Sequence, residues 1–175
     1  MSARDNITLV VSQEPTRVNL FFTGSGQTSN SIFKENMGDP LTWPSGDDHR
    51  IVSTTAATGW EQMAPERWRF YLRQGVKFHN GEPWNAQAAL PSLLFQGQAS
   101  SGTTSYPYTG SFTAQVVDDY TVDIICDQGC PIFPNTAIYV HFVAPNFLAT
   151  TTEDQQALKT VGFGPYQMVD RDAVS

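Results

Sequence analysis

From Trp68 to Arg73 apolar and polar side chains alternate, with Trp68, Phe70 and Leu72 on one face of an extended segment and Arg69, Tyr71 and Arg73 on the other. A period of two predicts a half-buried strand. Val76 and Phe78 resume the apolar face, and Asn80-Gly81 is a strong turn dipeptide. Pro83 stops the strand from continuing, and Asn85 stands where a helix N-cap belongs. The helix expected next runs from Ala86 to Phe95, with Pro91 inside it, where a missing N–H predicts a kink.

The same reading elsewhere predicts a strand at Ile7 to Ser12, a Gly/Ser/Thr-rich loop at Thr23 to Asn30, the start of a short helix at Ser31 to Glu35 and a short strand at Arg50 to Ser53. Gln96 to Gly110 reads as a long polar loop carrying Tyr106 and Tyr108. Val116 to Ile125 reads as a hairpin turning at Asp118-Asp119. Glu153 to Lys159 has helical composition, with Thr151 or Thr152 as its cap.

The run Trp68 to Ala86 closely resembles the signature of the extracellular solute-binding proteins of peptide-type ABC importers, family 5. Leu72, Arg73, Gly75, Val76, Lys77, Phe78, His79, Gly81 and Pro83 stand in the order that signature requires. Four further segments are similar to the family: Ile7 to Leu20, Glu35 to Trp43 with Ala56 to Trp68, Phe112 to Cys126, and Val161 to Val169, whose Gly164, Pro165 and Tyr166 match a Gly-x-Gly-Pro-Tyr segment. Two departures stand out: Ala88 replaces a usual acidic residue, and Pro91 follows it.

The resemblance implies an α/β, mixed α+β fold: part of a class II periplasmic-binding-protein-like lobe with a small β-rich subdomain inserted. On that reading residues 1–31 and 151–175 belong to the large subdomain of the first lobe, residues 32–150 form the small subdomain, and the second lobe is absent from this chain. It further implies non-catalytic capture of a peptide or similar small solute, delivery to the permease subunits of an ABC importer, and a place in the periplasm or on the outer face of the membrane. Met1 to Asn6 lacks the basic-then-apolar pattern of a secretory leader, so we expect the native leader to be missing. Membrane contact is then expected only through the permease or a removed lipid anchor.

Composition narrows the partners. With 40% hydrophobic and 15% charged residues the chain can bury a core. Its net charge of -7 argues against a nucleic-acid surface.

Candidate chemistry is sparse. Ser25 sits in Gly-Ser-Gly without the spacing of a nucleophile elbow. The adjacent pairs Asp47-Asp48 and Asp118-Asp119 read as solvated turns, so no enzyme is expected, nor any cofactor. His49, His79 and His141 lack the short spacing of a metal site. Cys126 and Cys130 lie four apart and leave three readings open: a disulfide, two free thiols, or a metal or redox pair.

For solute, the resemblance points to loops lining a cleft between lobes. Glu14, Arg17 and Asn19 after the first strand come first, then Tyr106, Tyr108 and Phe163. Arg17 suits a carboxylate, and tyrosines offer an apolar face with a hydroxyl. Trp68, Leu72, Arg73, Gly75, Phe78, His79, Gly81 and Pro83 are expected to build scaffold. A second class of function is a standalone β-rich module for carbohydrate or another ligand, with Trp43, Trp60 and Trp84 as stacking platforms.

Overall fold

The computed structural model describes residues 18–21, 34–48 and 50–169. The strand expected at Ile7 to Ser12 and the loop at Thr23 to Asn30 lie outside the described residues, while 34–37 are helical.

The signature strand is β4 (Arg67–Leu72), and its burial alternates as the period of two requires: Phe70 and Leu72 are buried, Tyr71 is exposed. It forms a hairpin with β3 (Ala57–Ala64) and pairs on its other side with β6 (Thr121–Cys126), which pairs with β5 (Phe112–Asp118). All pairings are antiparallel, in the order β3-β4-β6-β5. A separate two-stranded ribbon joins β1 (Trp43–Pro44) to β2 (Ile51–Val52), inside the strand expected at Arg50 to Ser53.

The β5–β6 turn lies one residue later than expected, at Asp119-Tyr120. Asp118 Oδ1 accepts from Tyr120 N at 2.9 Å, so the first Asp closes an Asx turn instead of occupying the turn's centre.

Helix α1 (Ala86–Gln96) packs against β5. Asn85 caps it, its side chain accepting from Ala88 N at 2.9 Å. Pro91 does not end the helix. It lies on the exposed face, so the Gln87 carbonyl that loses its partner belongs to an exposed residue and water can serve it.

The segment Gln96 to Gly110 is not the structureless loop its composition suggests. It holds a 3-10 turn at Ala99–Ser101 and the short helix α2 (Tyr106–Thr109). A buried polar chain organises it: the Ser101, Thr103 and Ser105 hydroxyls bond in series at 3.2 and 3.1 Å, and Ser105 reaches Gln96 Oε1 at 3.4 Å. Gln96 then donates to the His141 carbonyl at 2.7 Å and accepts from His141 N at 3.2 Å. Buried polar groups carry partners of this kind because an unmade bond costs more than the bond itself contributes.

Three short helices follow: α3 (Phe133–Thr136), α4 (Pro145–Thr150) and α5 (Glu153–Leu158). Thr152 caps α5 through a reciprocal capping box with Gln155.

The core lies between the inner sheet face and α1. Phe70, Val122 and Ile124 meet Ala89, Leu93, Phe142 and Trp84, all essentially inaccessible. On the outer face a row of charges runs across the strands, with Glu61 opposite Arg69 and Arg69 opposite Asp123. Arg69 grips Asp123 with both arms, at 2.7 and 2.9 Å. A carboxylate on an otherwise covered position is tolerable only in such a bidentate pair.

Cys126 and Cys130 form a disulfide with Cα atoms 6.3 Å apart. Closing so short a loop should contribute about 2 kcal/mol. Under denaturing conditions without reductant no free thiol should titrate, and Cys130→Ser should lower stability by about that amount. Two free thiols in the unreduced protein would contradict the bond.

Candidate functional site

The signature and the Gly-Pro-Tyr segment, far apart in the chain, meet in space. His79 N donates to the Gly162 carbonyl at 2.9 Å, and His79 Nε2 lies 2.8 Å from the Gly164 carbonyl. A carbonyl only accepts, so that ring nitrogen carries the proton. Gly164 N and Tyr166 N donate to Met37 and Asn36 carbonyls, both at 3.0 Å. Gly75 and Gly81 hold φ of +77° and +88°, a conformation that glycine adopts without strain. Pro83 bridges Lys77, and Phe78 is buried. Trp68 Nε1 donates to the Cys130 carbonyl at 2.8 Å, which ties the signature strand to the disulfide loop. Pro165 and Tyr166 themselves are exposed.

Phe163, expected to face solute, is a core residue instead. Its ring packs against Trp84 at 4.8 Å, Phe78 at 5.2 Å and Phe142 at 6.0 Å, and only 6% of it is exposed. The glycines on either side of it let the backbone pass close against Met37.

Asn19 is also buried. Its Oδ1 accepts from Phe21 N at 2.9 Å, and its Nδ2 donates to Gln156 Oε1 at 3.4 Å, so both ends of the amide have internal partners. Glu14 and Arg17 lie outside the described residues, as does His49.

Tyr106 and Tyr108 behave differently. They begin and line a cavity of about 540 Å³ between α2, the disulfide loop and α3. Tyr108 is 54% exposed, and its ring stacks on Tyr139 at 4.1 Å with planes 20° apart. The Tyr106 hydroxyl lies 3.2 Å from that of Ser111. Phe133 closes the floor as a T-shaped partner of Phe112 and Phe70. The cavity therefore offers one broad aromatic surface, several hydroxyls and the Asp127 carboxylate at its rim. Such a lining can hold an apolar body and orient it by a few polar contacts.

Tyr139 and the disulfide loop were not anticipated as neighbours of Tyr108. No local spacing announces them, because α3 and the following 3-10 turn at Ala137–Tyr139 carry Tyr139 back across the chain.

The three tryptophans do not form a common platform. Trp84 is in the core, Trp60 packs on Phe70 at 6.0 Å, and Trp43 lies on the ribbon. Among the described residues no group of His, Cys, Asp or Glu is placed to hold a metal. His141 Nδ1 lies 3.1 Å from the Gly38 carbonyl, and complete burial, with the Lys34 charge nearby, holds its pKa well below the ordinary imidazole value. Burial also lowers the Lys34 ammonium to about 8.

A family model described as bacterial extracellular solute-binding proteins, family 5 Middle, matches residues 51–175. The chain is 31% identical over 112 residues to an uncharacterized protein, YhjP, of Bacillus subtilis (strain 168), covering 63% of this chain and 18% of that protein. Among solved structures, the PBP AgaA of A. tumefacien R10 in complex with agropinic acid superposes with a TM-score of 0.79 at 21% identity, over 93% of this chain and 33% of that one. NikZ from Campylobacter jejuni in complex with Ni(L-His) gives 0.78 at 16% identity, over 93% and 32%. The murein tripeptide binding protein MppA of Escherichia coli gives 0.73 at 20% identity, over 93% and 35%. These likenesses establish the fold, and the chain spans no more than about a third of the length of these relatives.

Proposed function

Because this chain belongs to the bacterial extracellular solute-binding proteins of family 5, which bind without catalysing, we propose that it captures a peptide or similar small solute for an ABC importer as part of the first lobe of a binding protein. Residues 32–150 are its small subdomain. Capture would proceed by closure of two lobes about a hinge, the liganded closed form being the one offered to the permease at the outer face of the membrane.

The observation that carries this reading within the chain is Tyr108, which is exposed, lines a cavity of about 540 Å³ and is held by stacking on the half-buried Tyr139. An exposed ring of this kind has apolar area to lose to a ligand and is held in one orientation before the ligand arrives. The solutes named for the similar proteins, agropinic acid, Ni(L-His) and a murein tripeptide, are all small and polar, which suits a site where stacking supplies area and hydroxyls supply direction.

The test is titration of the whole binding protein with di- to pentapeptides and with a nickel–histidine complex. Tyr108→Ala should weaken the solute that binds about tenfold, equivalent to about 1.4 kcal/mol of lost stacking. Tyr166→Ala, at an exposed tyrosine outside this cavity, should leave affinity unchanged. Equal affinity in the Tyr108 variant would remove that residue from the site, and absence of binding by every probe would remove the peptide-type reading.

A further inference from the structure

A second cavity, of about 490 Å³, shares no lining residue with the first. It lies where the helical turn at 34–37 and the β1–β2 ribbon meet the end of β4, and it contains Glu35, Asp39, Trp43, Thr54 and Arg73. Arg73 belongs to the signature, and its role in scaffold accounts for only part of its side chain. Its Nε donates to the Thr54 carbonyl at 3.0 Å, which anchors the guanidinium. Thr54 is itself fixed, since its hydroxyl donates to Pro40 O at 2.8 Å and accepts from Ala56 N at 3.0 Å.

Two carboxylates share this cavity with the guanidinium, yet neither is ion-paired to it. The ion pairs among the described residues join Arg50 to Asp48, and Arg67 and Arg69 to Asp123. Opposite charges that line one cavity and stand too far apart to touch leave room for a molecule bearing both. Glu35 is partly withdrawn from water, and this burial raises its pKa. Trp43, 38% exposed, supplies an apolar wall and a ring face that attracts cations.

We propose that this cavity binds a small zwitterion of the α-amino acid class, its carboxylate on Arg73, its ammonium held by Glu35 and Asp39, and its body against Trp43. Arg73 then serves two purposes: Nε holds the corner of the scaffold while the remaining guanidinium N–H groups receive a carboxylate. The site is independent of the Tyr108 cavity, so either can fail alone.

The experiment is an NMR titration of the whole binding protein with L-arginine and L-leucine, following the Trp43 indole N–H. Saturable shifts are expected with both, and N-acetyl-L-leucine and L-leucinamide, each lacking one charge, should bind at least tenfold more weakly. Arg73→Gln should abolish the shifts. Because that variant also loses an anchoring bond, Asp39→Asn is the second arm, expected to weaken binding about fivefold while the remaining amide spectrum stays unchanged. Equal binding of the charge-blocked probes, or no effect of Asp39→Asn, would overturn the proposal, as would an unshifted Trp43 resonance. Loss of the response in Tyr108→Ala would assign the shifts to the other cavity and overturn it too.

Discussion

Trp84→Ala should lower the unfolding free energy by about 3–5 kcal/mol, the range for removing a large aromatic from a packed core. Only 1% of Trp84 is exposed, and its ring meets Phe142 at 4.6 Å, Phe163 at 4.8 Å and Phe78 at 5.8 Å. Its neighbours come from the signature turn, the segment before α4 and the Gly-Pro-Tyr segment, so one vacancy loosens three parts of the chain together. A second loss adds to the first. Trp84 Nε1 donates to the buried Ala56 carbonyl at 2.9 Å, an oxygen it shares with Arg73 N at 3.0 Å, so the variant loses one of two bonds to that acceptor. Trp84→Phe keeps much of the volume but removes the bond, and because Arg73 N still serves the Ala56 oxygen it should cost only about 0.5–1.5 kcal/mol. Denaturant unfolding of the two variants beside the parent measures both quantities. A loss below about 1 kcal/mol in Trp84→Ala would contradict the packing at this corner.

The second large effect is expected where backbone, not side chain, forbids change. A Cβ at Gly162 would sit 2.2 Å from the Met37 carbonyl oxygen, and one at Gly164 would sit 2.6 Å from the Met37 carbonyl carbon. Neither neighbour can rotate away. The His79–Gly162 and Gly164–Met37 hydrogen bonds must part before a methyl group fits. Gly162→Ala should therefore cost about 3 kcal/mol, at the upper end for overpacking. Gly46→Ala is the control, since nothing lies within 4 Å of that position, and it should change stability by less than about 0.5 kcal/mol. Thermal unfolding of both variants decides: equal midpoints would mean that Gly162 does not touch Met37 in solution.

These two sites also show which parts of the fold are legible along the chain. The strand at Arg67–Leu72, the Asn85 cap, the glycine turns and the Thr152 cap are all local consequences of a few neighbouring residues, and each was anticipated. The elements that departed from expectation did so through distant partners. Gln96 to Gly110, read from composition as a long polar loop, holds a 3-10 turn and α2, and Gln96 fixes its start by bonding to His141.

The candidate sites divide in the same way. Tyr106 and Tyr108 were selectable by residue type, since an exposed tyrosine in a polar segment invites a binding role. Phe163 has equal chemical promise and is buried, because the glycines beside it allow the chain to pass close to Met37 and direct the ring into the core. Residue type is local, whereas exposure depends on what the rest of the chain covers.

By itself the sequence determined the strand-turn-helix corner and, through the ordered residues from Leu72 to Pro83, membership of the family, because turn geometry and side-chain alternation depend on residues adjacent in the chain. Only the tertiary structure decided that Tyr139 lies under Tyr108 and that Cys126 and Cys130 are bonded. It alone brought Arg73 into one cavity with Glu35, Asp39 and Trp43. Those contacts join residues from separate elements, and their distances follow from how the sheet, α1 and the closing loops pack together, which no local pattern encodes.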